Sequence, residues 1–148
     1  MEIKTTTKIF SITKEELVNL FSTALYGSNY LDADYAQNAD LAECNCYEEK
    51  LAISVLNGRK IKIVDRYAEG EVYGNLPHTI FEDEVTYEVG LDDIIKGLEK
   101  SANEVGSFVN RAFWAFVRSE STEGCGEWDY LMADALIQMI VFDDLIYG

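Results

Sequence analysis

The residues best equipped for chemistry are few. The thiols are Cys44, Cys46 and Cys125, and the one imidazole is His78. Together they have the ligand types of a Cys3His zinc site. Their spacing is wrong for one, because only a single Cys44-x-Cys46 pair stands where two C-x2-4-C knuckles are usual. Cys125, between Gly124 and Gly126, fits a tight turn without a metal. Asp32, Asp34, Asp40 and Glu43 fall at positions 1, 3, 9 and 12 of an EF-hand-like calcium loop. Ala36 replaces its third oxygen ligand and Gln37 its turn glycine, so a solvated acidic loop is the simpler reading. Any nucleophile–histidine pair must use His78, which follows Pro77 in a turn-rich segment. There is no G-x-S-x-G elbow, no P-loop and no G-x-G-x-x-G. The chain therefore reads as a binding protein without a catalytic set or cofactor, and a metal-dependent enzyme ranks third among its readings.

Charge is the outlying property. The 148 residues carry 27 acids and 12 bases, a net charge of −15. Such a balance opposes phosphate backbones, which need Lys and Arg, and favours encounter with basic surfaces. The imbalance deepens along the chain, with 12 acids and 8 bases in residues 1–74 against 15 and 4 in residues 75–148. Ten acids of the second half mark the expected contact surface: Glu82, Asp83, Glu84, Glu88, Asp92, Asp93, Glu120, Glu123, Glu127 and Asp129. Rigidly spaced carboxylates can imitate phosphates and occupy a nucleic-acid-binding cleft. Tyr73, Trp114 and Trp128 are candidate aromatic anchors for such an interface. The exception to the acidity is Arg59, Lys60, Lys62 and Arg66. Its simpler reading is an edge strand guarded by lysines. Arg59, Lys62 and Arg66, with Arg111 and Arg118 as further cations, would also be the anion site of a small-molecule or nucleotide-signal binder, the second reading of this chain.

The elements that must position these groups follow from periodicity. Residues 1–10 are rich in β-formers. Thr13 and Glu16 form a capping box, Ile12 and Leu17 a hydrophobic staple, and Leu17, Leu20, Phe21, Ala24 and Leu25 a helical stripe over 14–26. A polar loop is expected over 28–45. A helix over 46–57 follows, capped by Asn45 with Glu48. Strands are expected at 60–65, 71–73 and 85–89, and helices at 90–102, 105–117 and 129–141. A strand at 112–117 competes with the fourth helix. Leu145, Ile146 and Tyr147 are placed to close the sheet. The sum is one α+β domain over 1–148, a mostly antiparallel sheet packed with four to five helices. A non-apolar start and an odd number of cysteines suit a cytoplasmic protein, and the longest apolar run near the end, Met139–Phe142, is too short to span a bilayer.

Leu20-Phe21-Ser22-Thr23-Ala24-Leu25-Tyr26-Gly27, Cys46-Tyr47-Glu48-Glu49 and the ending from Ala133 to Gly148 resemble small acidic proteins of phages and mobile elements of gut bacteria. The resemblance covers the two ends and the second helix, about half of the chain. It implies a mobile-element setting and transfers no site residue. Small acidic proteins of that setting include inhibitors of host defence nucleases, anti-CRISPR proteins among them. By that analogy the expected partner is a basic host protein, such as a nucleic-acid-processing nuclease complex, met in the host cytoplasm.

Overall fold

The computed structural model describes residues 2–4, 9–36, 41–119 and 127–148, with side chains described from Ile12 onward. Two short strands, β1 (Glu2–Lys4) and β2 (Ile9–Ser11), pair antiparallel as a sheet of their own. The first helix, α1 (Lys14–Tyr26), starts at the expected capping box. The Glu16 N–H donates to Thr13 Oγ1 at 3.2 Å, and the Thr13 N–H donates to the Glu16 carboxylate at 3.3 Å. Two of the orphan donors of the helix start are thereby satisfied. Leu17, Leu20, Phe21 and Ala24 point inward from α1.

The main sheet is built from β3 (Leu31–Asp34), β4 (Ile61–Asp65), β5 (His78–Phe81) and β6 (Glu84–Val89). All neighbours are antiparallel, in the order β3-β4-β6-β5. Alternation in β3, β4 and β6 turns Leu31, Ala33, Ile61, Ile63, Val85, Tyr87 and Val89 to one side, all buried. Packed with that side are α2 (Tyr47–Leu56), α3 (Leu91–Asn103), α4 (Phe108–Val117) and α5 (Tyr130–Val141), together with α1. The fold is α+β.

Helix α5 is the centre of the helical layer, in contact with α1, α3 and α4. Its run from Ala135 to Val141 is buried on every side, as expected for a helix apolar all round. Close approach of α3 depends on Gly97, where a Cβ would fall 2.6 Å from Ile140 Cα. Fully burying each of Phe113, Phe116, Leu98 and Leu136 stabilises the fold by about 1.5–3 kcal/mol relative to exposure.

The β-forming start holds the strands β1 and β2, as its composition suggests. Several expectations are corrected. The expected loop 28–45 contains β3, whose Leu31 and Ala33 are buried against the core. Residues 71–73 are not a strand, because the Tyr73 N–H donates to the Tyr87 hydroxyl at 3.0 Å in place of a ladder bond. The strand lies further on, at β5. Residues 112–117 are helical as the expected fourth helix has them, and the competing strand is absent there; the start of α4 is set by Ser107 accepting from the Asn110 N–H. Cys46 caps α2 without a side-chain bond, and the Asn45 N–H instead donates to Glu49. Leu145–Tyr147 do not join the sheet; the N–H groups of Ile146 and Tyr147 both donate to Gln138 Oε1. The lysine-bearing strand β4 is central and not an edge.

Candidate interaction surface

The side of the main sheet turned away from the core carries Asp32, Asp34, Lys62, Val64, Glu84, Thr86, Glu88, Thr79 and Phe81, none of them buried. Register fixes their neighbours. Asp34, Lys62 and Glu88 lie in one cross-strand row, and Asp32, Val64, Thr86 and Thr79 in the next. Neighbouring strands are about 4.8 Å apart, and alternate residues of one strand about 7 Å. Four carboxylates, from Asp32, Asp34, Glu84 and Glu88, thus stand on a rigid grid, with Lys62 among them and Lys60 at its rim near Asp34. Lys62 is flanked in register by two acids, which accounts for its charge locally.

The grid continues into the turn between β5 and β6. Glu82 and Asp83 form a two-residue turn with φ of 47° and 71°. Left-handed conformation at both positions suits the twist of a hairpin but favours Asn and Gly. Next to it the Gly70 N–H donates to the Asp83 carbonyl at 2.9 Å, bringing the Glu69–Glu71 loop to the same end. Glu69 is itself at φ 51°. Beside this acidic end Ile80 is 53% exposed and Phe81 74% exposed. On the opposite edge the Tyr47 hydroxyl is pushed up to about 12, by burial first and then by the charges of Asp34 and Asp32.

The ten acids expected to act together divide. Glu82, Asp83, Glu84 and Glu88 belong to the sheet surface. Asp92 and Asp93 lie in the first turn of α3, where the Asp93 carboxylate accepts the Gly90 N–H at 2.8 Å. Asp129 caps α5 by accepting the Met132 N–H at 2.9 Å. Glu127 is paired with Arg111 at 3.1 Å and Arg118 at 3.3 Å. Glu120 and Glu123 lie outside the described residues, as do Gln37, Asp40 and Cys125. Sequence reasoning set Asp32 and Asp34 in a solvated acidic loop, with a calcium loop as the weaker alternative, and missed their place here. The signal was present in Leu31-Asp32-Ala33-Asp34, a four-residue alternation.

The other candidates do not converge. Asp32 and Asp34 project from a strand, which removes the loop that a calcium site needs. Cys46 caps α2, while His78 starts β5 with its Nδ1 3.0 Å from the Leu76 carbonyl. Among the described residues no three His, Cys, Asp or Glu gather as metal ligands. Arg59 and Arg66 flank β4 at its two ends, about 20 Å apart at the rise of a strand, with Lys62 between. Arg111 and Arg118 share Glu127 in the helical layer. Tyr73, Trp114 and Trp128 are packed on the core instead of being free anchors. The Trp128 Nε1 donates to Thr23 Oγ1 at 3.3 Å.

The remaining concentration of titratable groups is a seam between the sheet and α5. The Tyr30 hydroxyl donates to Asp134 Oδ1 at 2.6 Å, and Gln138 Nε2 donates to Asp134 Oδ2 at 2.7 Å. The Tyr147 hydroxyl donates to Asp65 Oδ2 at 2.7 Å, and the Tyr67 N–H to Asp65 Oδ1 at 3.0 Å. The rings of Tyr30 and Tyr147 meet at 4.8 Å. Burial and then the bonds to Asp134 and Asp65 hold the hydroxyls of Tyr30 and Tyr147 far above the ordinary tyrosine range. Burial also raises Asp65, against the opposing bonds from Tyr147 and Tyr67. Every carboxylate oxygen of the pair accepts a donor, so the seam is a satisfied structural network. Burial and these bonds hold the hydroxyl protons of Tyr30 and Tyr147 in place.

Comparison with known protein families, with curated proteins and with solved structures gives no match for this chain. Among the described residues no helix is long and apolar enough to cross a membrane.

Proposed function

We propose that this chain is an interaction protein that binds a basic surface of a partner through the open acidic side of its main sheet and the β5–β6 turn. The observation that carries the reading is the grid of Asp32, Asp34, Glu84 and Glu88, continued by Glu82 and Asp83, on a sheet side that no helix among the described residues covers. Carboxylates repeated at this scale offer a nucleic-acid-binding protein a substitute for the regular charges of a phosphate backbone. Backbone strain supports the assignment. Glu82 and Asp83 occupy left-handed φ that Asn and Gly adopt at lower cost, and such strain collects at functional positions. The partner is a basic, nucleic-acid-processing protein of a bacterial host. In this reading the chain is a phage-type inhibitor of host defence, analogous to anti-CRISPR proteins, and acts in the host cytoplasm.

The test is capture from a bacterial host extract at graded salt, with the chain and with the combined variant Asp32→Asn, Asp34→Asn, Glu84→Gln, Glu88→Gln. The expected result is a basic nucleic-acid-binding protein retained by the parent at low salt, released as salt rises, and lost with the variant. Retention by the variant, or retention indifferent to salt, contradicts the reading.

A further inference from the structure

Strand β5 ends the main sheet, and among the described residues no strand pairs with its outward edge. The pairing Phe81↔Glu84 closes a two-residue hairpin, and the Glu88 N–H donates to the Pro77 carbonyl at 2.9 Å. Hydrogen-bonded pairs alternate along an antiparallel ladder. Thr79 and Phe81 therefore face β6 with their backbone groups, whereas His78 and Ile80 direct theirs away from the sheet. No hydrogen bond among the described residues uses the N–H or carbonyl of either residue on that side. All four residues of β5 are exposed. Ile80 shares the core side with Val85 and Phe81 the outer side with Glu84, so apolar side chains stand on both sides of the open edge.

Proteins usually protect such an edge with lysines, a proline within the strand, a bulge or a covering segment. Among the described residues, strand β5 has none of these within His78–Phe81. Its neighbours are instead acids, Glu82, Asp83 and Glu84 at the turn and Glu69 and Glu71 beside it. A second copy of this chain would bring the same negative charge to the contact. A strand carrying Lys or Arg would meet opposite charge.

We infer that β5 accepts an extended segment of the partner, alternating apolar and basic residues, as a fifth strand of the main sheet. Backbone groups of His78 and Ile80 supply its ladder bonds, Ile80 and Phe81 its apolar contacts, and the surrounding acids its charge selection. This inference rests on the proposed binding of a basic partner and names the form in which that partner engages.

A labelled ten-residue peptide of alternating Lys and Val is the probe, with two relatives. One carries Glu for Lys, and the other carries N-methyl groups at every second residue. Fluorescence anisotropy reads affinity, and amide hydrogen exchange reads protection. The Lys peptide is expected to bind and to slow exchange at His78 and Ile80, while N-methylation and the Glu exchange each weaken binding by at least about tenfold. The variant Ile80→Pro removes a donor that β6 does not use, so it should keep the fold and lose the peptide. Lack of binding by the Lys peptide at low salt overturns the inference. So does equal binding of the N-methylated form, or protection confined to other elements. Sedimentation showing a dimer that Ile80→Pro abolishes also overturns it, since the occupant is then a second copy. If strand addition fails while extract capture still depends on Asp32, Asp34, Glu84 and Glu88, only this inference falls; loss of that dependence removes the broader reading.

Discussion

The buried seam and the open side of the sheet use the same residue types to opposite ends. In the seam, Asp65 is fully buried and Tyr30 nearly so, and both carboxylates, of Asp65 and Asp134, accept tyrosine hydroxyls and further donors. On the open side, Asp32, Asp34 and Glu88 are exposed, and Lys62 is the one cation in register among them. A carboxylate out of water must be hydrogen-bonded to persist, so seam acids serve the fold. Hydrated carboxylates contribute little to the fold and leave their charge available to a partner.

The largest effect that would sharpen this contrast is alkaline unfolding. Tyr30 and Tyr147 titrate higher in the folded chain than their ordinary value of 10.0. Above that value the unfolded chain loses these protons while the folded chain retains them. Stability from the seam is therefore intact below about pH 10 and is lost as pH rises above it. Circular dichroism melts across pH 8–12, read beside tyrosinate absorbance, should show unfolding and delayed ionisation as one transition. Ionisation well before unfolding would break the seam's structural role.

Next in size, Asp65→Ala leaves the Tyr147 hydroxyl and the Tyr67 N–H without their acceptor and should cost about 3 kcal/mol in urea melts. Gly97→Ala forces α3 from Ile140 and should cost about 2 kcal/mol by the same measurement, without touching either acidic region. At the turn the sign reverses. Asp83→Gly should stabilise by about 1 kcal/mol by relieving a left-handed φ of 71°. The smallest effect belongs to the combined amide variant of Asp32, Asp34, Glu84 and Glu88, whose stability should stay within about 0.5 kcal/mol of the parent. A loss as large as that of Asp65→Ala would mean the open acids are structural too.

Much of the fold was legible because helices repeat their signals. Thr13 and Glu16 announced α1, and helical periodicity over 90–102 announced α3. Strands of four residues carry fewer repeats. The β3 alternation, Leu31 to Asp34, was masked by its two aspartates, which also suit a loop. In β5, the side chains of His78, Thr79, Ile80 and Phe81 are all exposed, so burial imposed no alternation to read. Val72 and Tyr73 look like a strand, yet Tyr73 is held through the Tyr87 hydroxyl, a long-range contact that local propensity does not encode. The acidic surface was legible only in part. Charge density identified Glu82, Asp83, Glu84 and Glu88, but strand order was needed to set Asp32 and Asp34 beside them.

The most direct test of the central claim is a contact map of the partner complex by amide hydrogen exchange. The account predicts protection on β3 and β6, at the Glu82–Asp83 turn and along β5, with the α4–α5 side around Arg111 and Glu127 unchanged. Protection centred on that helical side, with β5 and β6 exchanging as in the free chain, would contradict it.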